Sequence, residues 1–250
     1  MFFNFHIIKR ILFSNLLFFL LQVQSSYSGP PFLTDDPEPV DLHHFEFYLS
    51  SQDLINLHSG SGTLPHFEMN YGPFKNMQLH LEAPIGYSYV GNKINYGIAD
   101  IELGIKYRFV EETSSIPQIG TFPLIEVPTG NADKGLGNGK PQVYLPLWLQ
   151  KSWGDWTSYG GAGFWYNPGN DNKNWVYAGW LLQNKLSDLL TFGGEIYYHT
   201  PRNTTEKQTV GFNLGGFIDL NEKNHIIYSV GHSIAGENVL TAYLGYLITI

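Results

Sequence analysis

From Ala99 to Phe109 every odd-numbered residue is apolar, and four of the five even-numbered ones, Asp100, Glu102, Lys106 and Arg108, carry a charge, the fifth being Gly104. A helix would scatter these two classes around its axis. Only an extended chain, whose successive side chains point to opposite faces, sorts them in this way. The alternation recurs from Phe45 to Leu49, from Phe67 to Tyr71 and from Met77 to Ala83. Such a chain has one wet face and one greasy face on each strand, and its architecture must accommodate both.

The same rule places twelve strands near residues 42–50, 62–71, 75–85, 96–110, 116–127, 140–152, 156–166, 174–185, 189–200, 207–219, 224–234 and 239–250. The links between them alternate in length. Long polar links run from Ser51 to Ser61, Gly86 to Asn95 and Pro128 to Gly139, with medium ones from Asn167 to Lys173 and Pro201 to Glu206. Tight links fall between them, at Gly72-Pro73-Phe74, Glu111 to Ser115, Trp153-Gly154-Asp155, Leu186-Ser187-Asp188 and Leu220 to Lys223. An even strand count, segments of about ten residues and one short-turn end describe an all-β fold, an antiparallel transmembrane β-barrel of outer-membrane type. Closure removes the edges that an open sheet of this size would expose. Trp153 and Trp156 at a tight turn, and Trp165, Tyr166 and Trp175 at a longer loop, are expected to form the aromatic girdles. A soluble exported β-sandwich would also alternate, but it would carry charge on its outer faces, and the run from Val143 to Leu149 carries none. Pro65, Pro84, Pro117, Pro123 and Pro146 fall inside or at the ends of strands, where each should force a bulge or shorten the pairing.

The N-terminus reads as an address. Lys9 and Arg10 precede an apolar run of eleven positions from Ile11 to Leu21, too short for a membrane helix, and Ser26-Tyr27-Ser28 supplies small residues for cleavage. The chain is thus divided into a signal peptide (1–28), an acidic and proline-rich segment on the periplasmic side (29–41) and a transmembrane barrel (42–250). The segment's acids Asp35, Asp36, Glu38 and Asp41 suit a plug or lining of the periplasmic mouth, and equally a solvated tail. With no cysteine, disulfides and thiolate-held metal centres are excluded; with 22 acidic against 14 basic residues, electrostatic binding of nucleic acid is not expected.

The segment Gly29 to Val40, beginning Gly-Pro-Pro-Phe-Leu-Thr-Asp-Asp-Pro, resembles the opening of bacterial outer-membrane barrels grouped as the MetA-pathway of phenol degradation family. Gly62 to Glu68, Glu102 to Phe109, the loop from Pro128-Thr129-Gly130 to Gly135-Leu136-Gly137-Asn138-Gly139, and Leu145 to Gly154 are similar to that family's pattern. The resemblance implies an outer-membrane channel or transporter for small hydrophobic or aromatic compounds, without defined catalytic residues. The chain departs from the usual terminal Phe or Trp of such barrels by ending in Ile250, with Leu244, Tyr246 and Ile248 in the same outward row. The expected partners are the lipid bilayer, a small-molecule solute and the barrel-assembly machinery.

If apolar residues face lipid, the other parity lines the lumen. That row holds His44, Glu46, His66, Glu68, His80, Glu82, Asp100, Glu102, Lys106 and Arg108 as candidate pore-lining and selectivity residues. A three-residue turn at Gly72-Pro73-Phe74 would set His66 opposite His80 and Glu68 opposite Gln78. Lys106 and Arg108 are expected to compensate Glu82, Asp100 and Glu102, either filling the lumen or setting a charged ring on a permeation path. The opposite wall, with Gln142, Tyr144, Trp148, Gln150, Trp175, Tyr177, Gln183, Glu195, Tyr197 and His199, is aromatic and mostly neutral. His66, His80 and Glu82 have metal-ligand types, but inward His and Glu also serve solvation, so no metal and no cofactor is assigned. A closed barrel without transport is the alternative. A lipid-modifying enzyme would have only His43 and Ser233 to draw on, with no acid placed to orient the histidine. The glycines from Gly135 to Gly139 do not form a phosphate loop, since Lys134 and Pro141 occupy positions that need glycine and a hydroxyl residue.

Overall fold

A computed structural model describes residues 30–250, so the expected signal peptide and its cleavage after Ser28 lie outside the described residues. The ladder closes on itself. β1 (Phe45–Ile55) pairs with β2 (Ser59–Phe74) on one side and with the last strand, β15 (Leu240–Thr249), on the other. Between them run β3 (Met77–Glu82), β4 (Ile85–Val90), β5 (Lys93–Ile98), β6 (Ile101–Val110), β7 (Gln118–Thr121), β8 (Leu124–Val127), β9 (Gln142–Trp153), β10 (Trp156–Tyr166), β11 (Trp175–Lys185), β12 (Leu190–His199), β13 (Thr209–Asn221) and β14 (Asn224–Ala235). β3 with β4, β5 with β6 and β7 with β8 are each one strand interrupted once, so the fifteen segments make a closed barrel of twelve antiparallel strands. In hydrocarbon every backbone N–H and C=O must find a partner within the protein, and a closed ladder supplies one.

The prolines explain two of the interruptions. Pro84 separates β3 from β4 and Pro123 separates β7 from β8, where the missing N–H ends the pairing. Opposite Leu64-Pro65 the register of β1 against β2 shifts between Ser50 and Gln52, which is a bulge. Pro146 departs from the expectation, because β9 runs through it without a shift. In an antiparallel strand the N–H and C=O of one residue point the same way. The Pro146 carbonyl accepts from Thr121 Oγ1 at 2.6 Å, so its nitrogen faces the Phe122-Pro123 gap, where no ladder bond is lost.

The two ends of the barrel differ, though not quite as expected. Strands at the turn end join through Lys75-Asn76, Gly154-Asp155 and Glu222-Lys223, with Asn76 and Gly154 in the left-handed region. At the other end the first two links prove to be strand, not loop. β1 and β2 continue to Ile55 and from Ser59, and β4 and β5 to Val90 and from Lys93, so only Asn56 to His58 and Gly91-Asn92 remain as turns. These polar stretches lack the apolar alternation that marks a strand in lipid, yet their backbones pair beyond it. The link from Pro128 to Pro141 remains long and carries one 3-10 turn, Ala132–Lys134.

Outward positions form an apolar belt that includes Leu49, Phe67, Ile105, Leu147, Trp180 and Leu244, all exposed. Trp153 and Trp156 also face outward at the turn end. Trp165 and Trp175 correct the girdle reading. Their side of β10 and β11 faces the lumen, and of the three aromatics expected at that loop Tyr166 alone points out. Three glycines in β10 had hidden its parity.

Candidate functional site

The acidic N-terminal segment lies inside the barrel. It enters at the turn end, where Val40 N–H donates to Gln78 Oε1 at 3.0 Å, and rises through the lumen until Ser229 Oγ donates to the Pro31 carbonyl at 2.5 Å. Along the way it exhausts much of the barrel's inward polarity. Glu38 accepts from Gln118 Nε2 and Gln150 Nε2, each at 3.0 Å, and pairs with Arg108 at 3.5 Å. The Lys106 side chain is 1% exposed, and its Nζ lies 2.9 Å from Asp35 Oδ1 and 3.6 Å from Asp36 Oδ1. Leu33 and Thr34 donate their backbone N–H groups to the two oxygens of Glu195 at 2.9 and 2.7 Å, and Thr34 Oγ1 lies 3.0 Å from the Tyr177 hydroxyl. Phe32, Thr34, Asp36 and Val40 are buried. A solvated periplasmic tail is thereby replaced by a plug in the lumen.

This alters the charge pairing expected of the inward row. Lys106 and Arg108 serve the plug's acids, not Glu82, Asp100 and Glu102. Asp100, between β5 and β6, instead anchors the long loop: its two carboxylate oxygens accept from Gly130 N at 2.8 Å and Asn138 N at 2.6 Å. Gly137 is required there, since any Cβ would fall 2.3 Å from Asp100 Oδ1. His44 is not a lumen residue. It precedes β1, is exposed and lies 3.1 Å from the Leu42 carbonyl. Glu46 is buried and accepts from the Tyr48 hydroxyl at 2.8 Å.

The expected pairing of His66 with His80 and of Glu68 with Gln78 is also corrected. β2 runs on past Gly72-Pro73 to Phe74 and turns at Lys75-Asn76, which moves the register by four residues. Glu68 stands opposite Glu82 and Asn70 opposite His80. Continuing round the wall, Glu82 stands opposite Glu102 and Glu102 opposite Glu126. Four glutamates from four neighbouring strands thus form one row at one level. Glu126 was not singled out from the sequence, although its place between the outward Ile125 and Val127 gave the parity needed. His66 Nε2 lies 3.3 Å from Glu82 Oε2, and His80 Nε2 lies 3.2 Å from Glu102 Oε1.

Across the lumen stands the aromatic wall. Trp165 stacks on Tyr144 at 4.6 Å between ring centroids and on Trp175 at 5.4 Å, with Trp148, Tyr177, Tyr197 and Phe122 in the same cluster. Trp165 and Phe122 were missed as lumen residues. The inward glycines of β10 make this packing possible, because a Cβ at Gly163 would fall 2.3 Å from the Tyr144 ring. Together with Leu33 and Asp35 of the plug, these rings other than Phe122 line a cavity of about 980 Å³, to which loop-end residues such as Asn56, Lys93 and Arg202 also contribute. At its rim the Arg202 guanidinium lies 6.0 Å from the Trp175 ring and pairs with Glu206 at 2.5 Å. Burial acts to raise the Glu206 carboxyl, but the Arg202 hydrogen bonds outweigh it and hold the group below the usual carboxylate range. His43 and Ser233 do not meet: His43 bonds to Gly72 at the turn end, whereas Ser233 pairs with Gly211 near the loop end.

A profile of the family described as MetA-pathway of phenol degradation matches residues 56–247. Among solved structures, the COG4313 outer membrane channel from Pseudomonas putida F1 is similar with a TM-score of 0.71 at 15% identity, over 86% of this chain and 98% of that one. The KdgM porin follows with a TM-score of 0.55 at 10% identity, over 80% of this chain and 98% of that one. The translocator domain of the autotransporter NalP from Neisseria meningitidis has a TM-score of 0.55 at 12% identity, over 84% and 89%. No curated protein matches the chain by sequence.

Proposed function

The chain belongs to that MetA-pathway family of outer-membrane barrels, and we propose that it is a passive channel for small hydrophobic or aromatic molecules. The observation that carries this reading is the cavity of about 980 Å³ at the loop end, walled by Trp148, Trp165, Trp175, Tyr177 and Tyr197. Pockets of this size lined by aromatic faces suit apolar ligands, with a few polar groups to orient them. The proposed orientation puts the loops outside the cell and the tight turns in the periplasm, as in other barrels of this type. A solute would enter the chamber from outside and pass the plug where it meets the wall. Export through a cleaved signal peptide ending at Ser28 and insertion by the barrel-assembly machinery belong to the same reading. So does a non-enzymatic role, which the separation of His43 from Ser233 supports.

The plug favours a second reading, a closed barrel without transport, because its buried contacts reach β3, β6, β7, β9, β11, β12 and β14. Two measurements separate them. Phenol titrated into purified barrel should quench tryptophan fluorescence saturably, and the barrel in a planar bilayer should conduct above background. Absence of both in a protein that shows heat-modifiable gel migration would leave the closed barrel.

A further inference from the structure

We propose that the glutamate row binds one divalent transition-metal ion, with Zn²⁺ as the matching probe, through His80 Nε2, Glu82 and Glu102, while His66 and Glu68 flank the ion. Like charges directly opposite one another destabilise a sheet, and here Glu68, Glu82, Glu102 and Glu126 stand opposite in succession. Lys106 and Arg108 pair with the plug's carboxylates. The charge of this row can be offset by protons on the histidines or on the carboxylates themselves, or by a bound ion.

The hydrogen bonds around His80 favour the ion. Asn70 Nδ2 donates to Glu68 Oε1 at 2.8 Å, which fixes the amide so that its oxygen accepts from His80 Nδ1 at 2.7 Å. A ring whose outer N–H is held by a second partner, with Nε2 left to coordinate, is the usual arrangement of a metal-binding histidine. His80 Nε2 then faces Glu102 Oε1 at 3.2 Å and Glu82 Oε1 at 3.6 Å. Ligands at ~2.0–2.1 Å around a tetrahedral ion stand roughly 3.3 Å apart, which these separations match. The ligand atoms of His80, Glu82 and Glu102 all lie within 4.8 Å of one another, as do those of His66, Glu68 and Glu82. The two histidines fall in separate triads that share Glu82, so one ion is not held by both at once.

Two further observations point to a ligand. Glu68 is almost fully buried, and its Oε2 meets no donor among the described residues. The side chains of Glu82 and Glu102 are 22% and 15% exposed, so the carboxylates keep some accessible surface while His80 is sealed, with Phe122 edge-on to its ring at 5.1 Å. The N and O donor set, without sulfur, suits Zn²⁺ and its neighbours in the first transition row.

The test uses untagged barrel purified from outer membranes, stripped with EDTA and titrated with ZnCl₂ against a chromophoric chelator. One ion per barrel is expected. H80Q and E102Q should each weaken binding at least tenfold, and N70A, which leaves every ligand in place, by roughly 10–100-fold. H232Q, at an exposed histidine distant from the row, should bind like the parent. Heat-modifiable migration reports whether each variant folds. If H80Q does not fold, Co²⁺ added to the parent protein decides instead: an intense visible absorption of a four-coordinate site supports the proposal. Absence of stoichiometric Zn²⁺ binding by the folded parent, undiminished binding by folded H80Q, or a weak six-coordinate Co²⁺ spectrum would overturn it. None of these readouts depends on transport.

Discussion

The two walls of this lumen solve opposite problems. From β2 to β8 the inward face is charged and meets the plug through Lys106 and Arg108; from β9 to β12 it is aromatic and meets the plug mainly through backbone donors reaching Glu195. On the charged side each inward group needs a specific partner, since a buried ion left alone costs several kcal/mol. On the aromatic side stacking and dispersion are spread over many atoms, and the faces of Trp148, Trp165 and Tyr197 can meet an apolar guest without losing a designated bond. The charged wall holds the plug in register, and the aromatic wall leaves room beside it.

Breaking the charged wall should have the largest effect. K106A leaves the buried Asp36 and the half-buried Asp35 without their cation, a loss of about 3–5 kcal/mol by comparison with other broken buried pairs, and the plug should leave the lumen. Single-channel conductance in planar bilayers should rise severalfold. Unchanged conductance would show that the plug does not depend on Lys106. On the aromatic side, W165A removes the centre of the stack between Tyr144 and Trp175, and phenol affinity should fall about tenfold, consistent with roughly 0.5–1.5 kcal/mol for each aromatic pair lost. Conductance to small ions should change far less than in K106A, which is the contrast the two walls predict.

Smaller effects sharpen the comparison. D100N weakens two charge-assisted bonds to the loop, each worth about 1.5–3 kcal/mol, and should speed proteolysis between residues 128 and 141 without moving the plug. Replacing Glu82 and Glu102 by glutamine should lower cation preference, on the order of twofold, read as a reversal potential closer to zero in a salt gradient. The smallest belongs to the rim. The Glu206 carboxyl is held below its usual range in the folded protein, so its contribution is present above the unfolded carboxylate value and fades as pH falls through the folded one. With Arg202 partly exposed, E206Q should cost no more than ~1 kcal/mol and should remove that acid dependence, measurable by thermal unfolding in detergent between pH 3 and 6.

Much of this was legible in the residues. Alternation from Ala99 to Phe109 assigned Glu102, Lys106 and Arg108 to the lumen, and the same parity assigned Glu68, His80 and Glu82. The aromatic wall from Tyr144 to Tyr197 was legible for the same reason. Where glycine removed the alternation, in β10, Trp165 was given to the wrong face. Where polar strands ran beyond the lipid, at Gln52 and Asp53, they read as loop. Proline effects were right at Pro84 and Pro123 but not at Pro146, because whether a missing N–H matters depends on which neighbour it would have faced.

The sequence by itself determined which side of each strand a residue occupies, since period two is a property of the extended backbone and needs no neighbour. Which residues stand opposite one another belonged to the tertiary structure. A turn displaced to Lys75-Asn76 shifted the β2–β3 register and replaced a pairing of histidine with histidine by a row of four glutamates. The acidic segment read equally as plug or tail, and its partners were beyond local pattern: Asp35, Asp36 and Glu38 find Lys106 and Arg108 some 70 residues away, a meeting arranged only when the barrel closes around them.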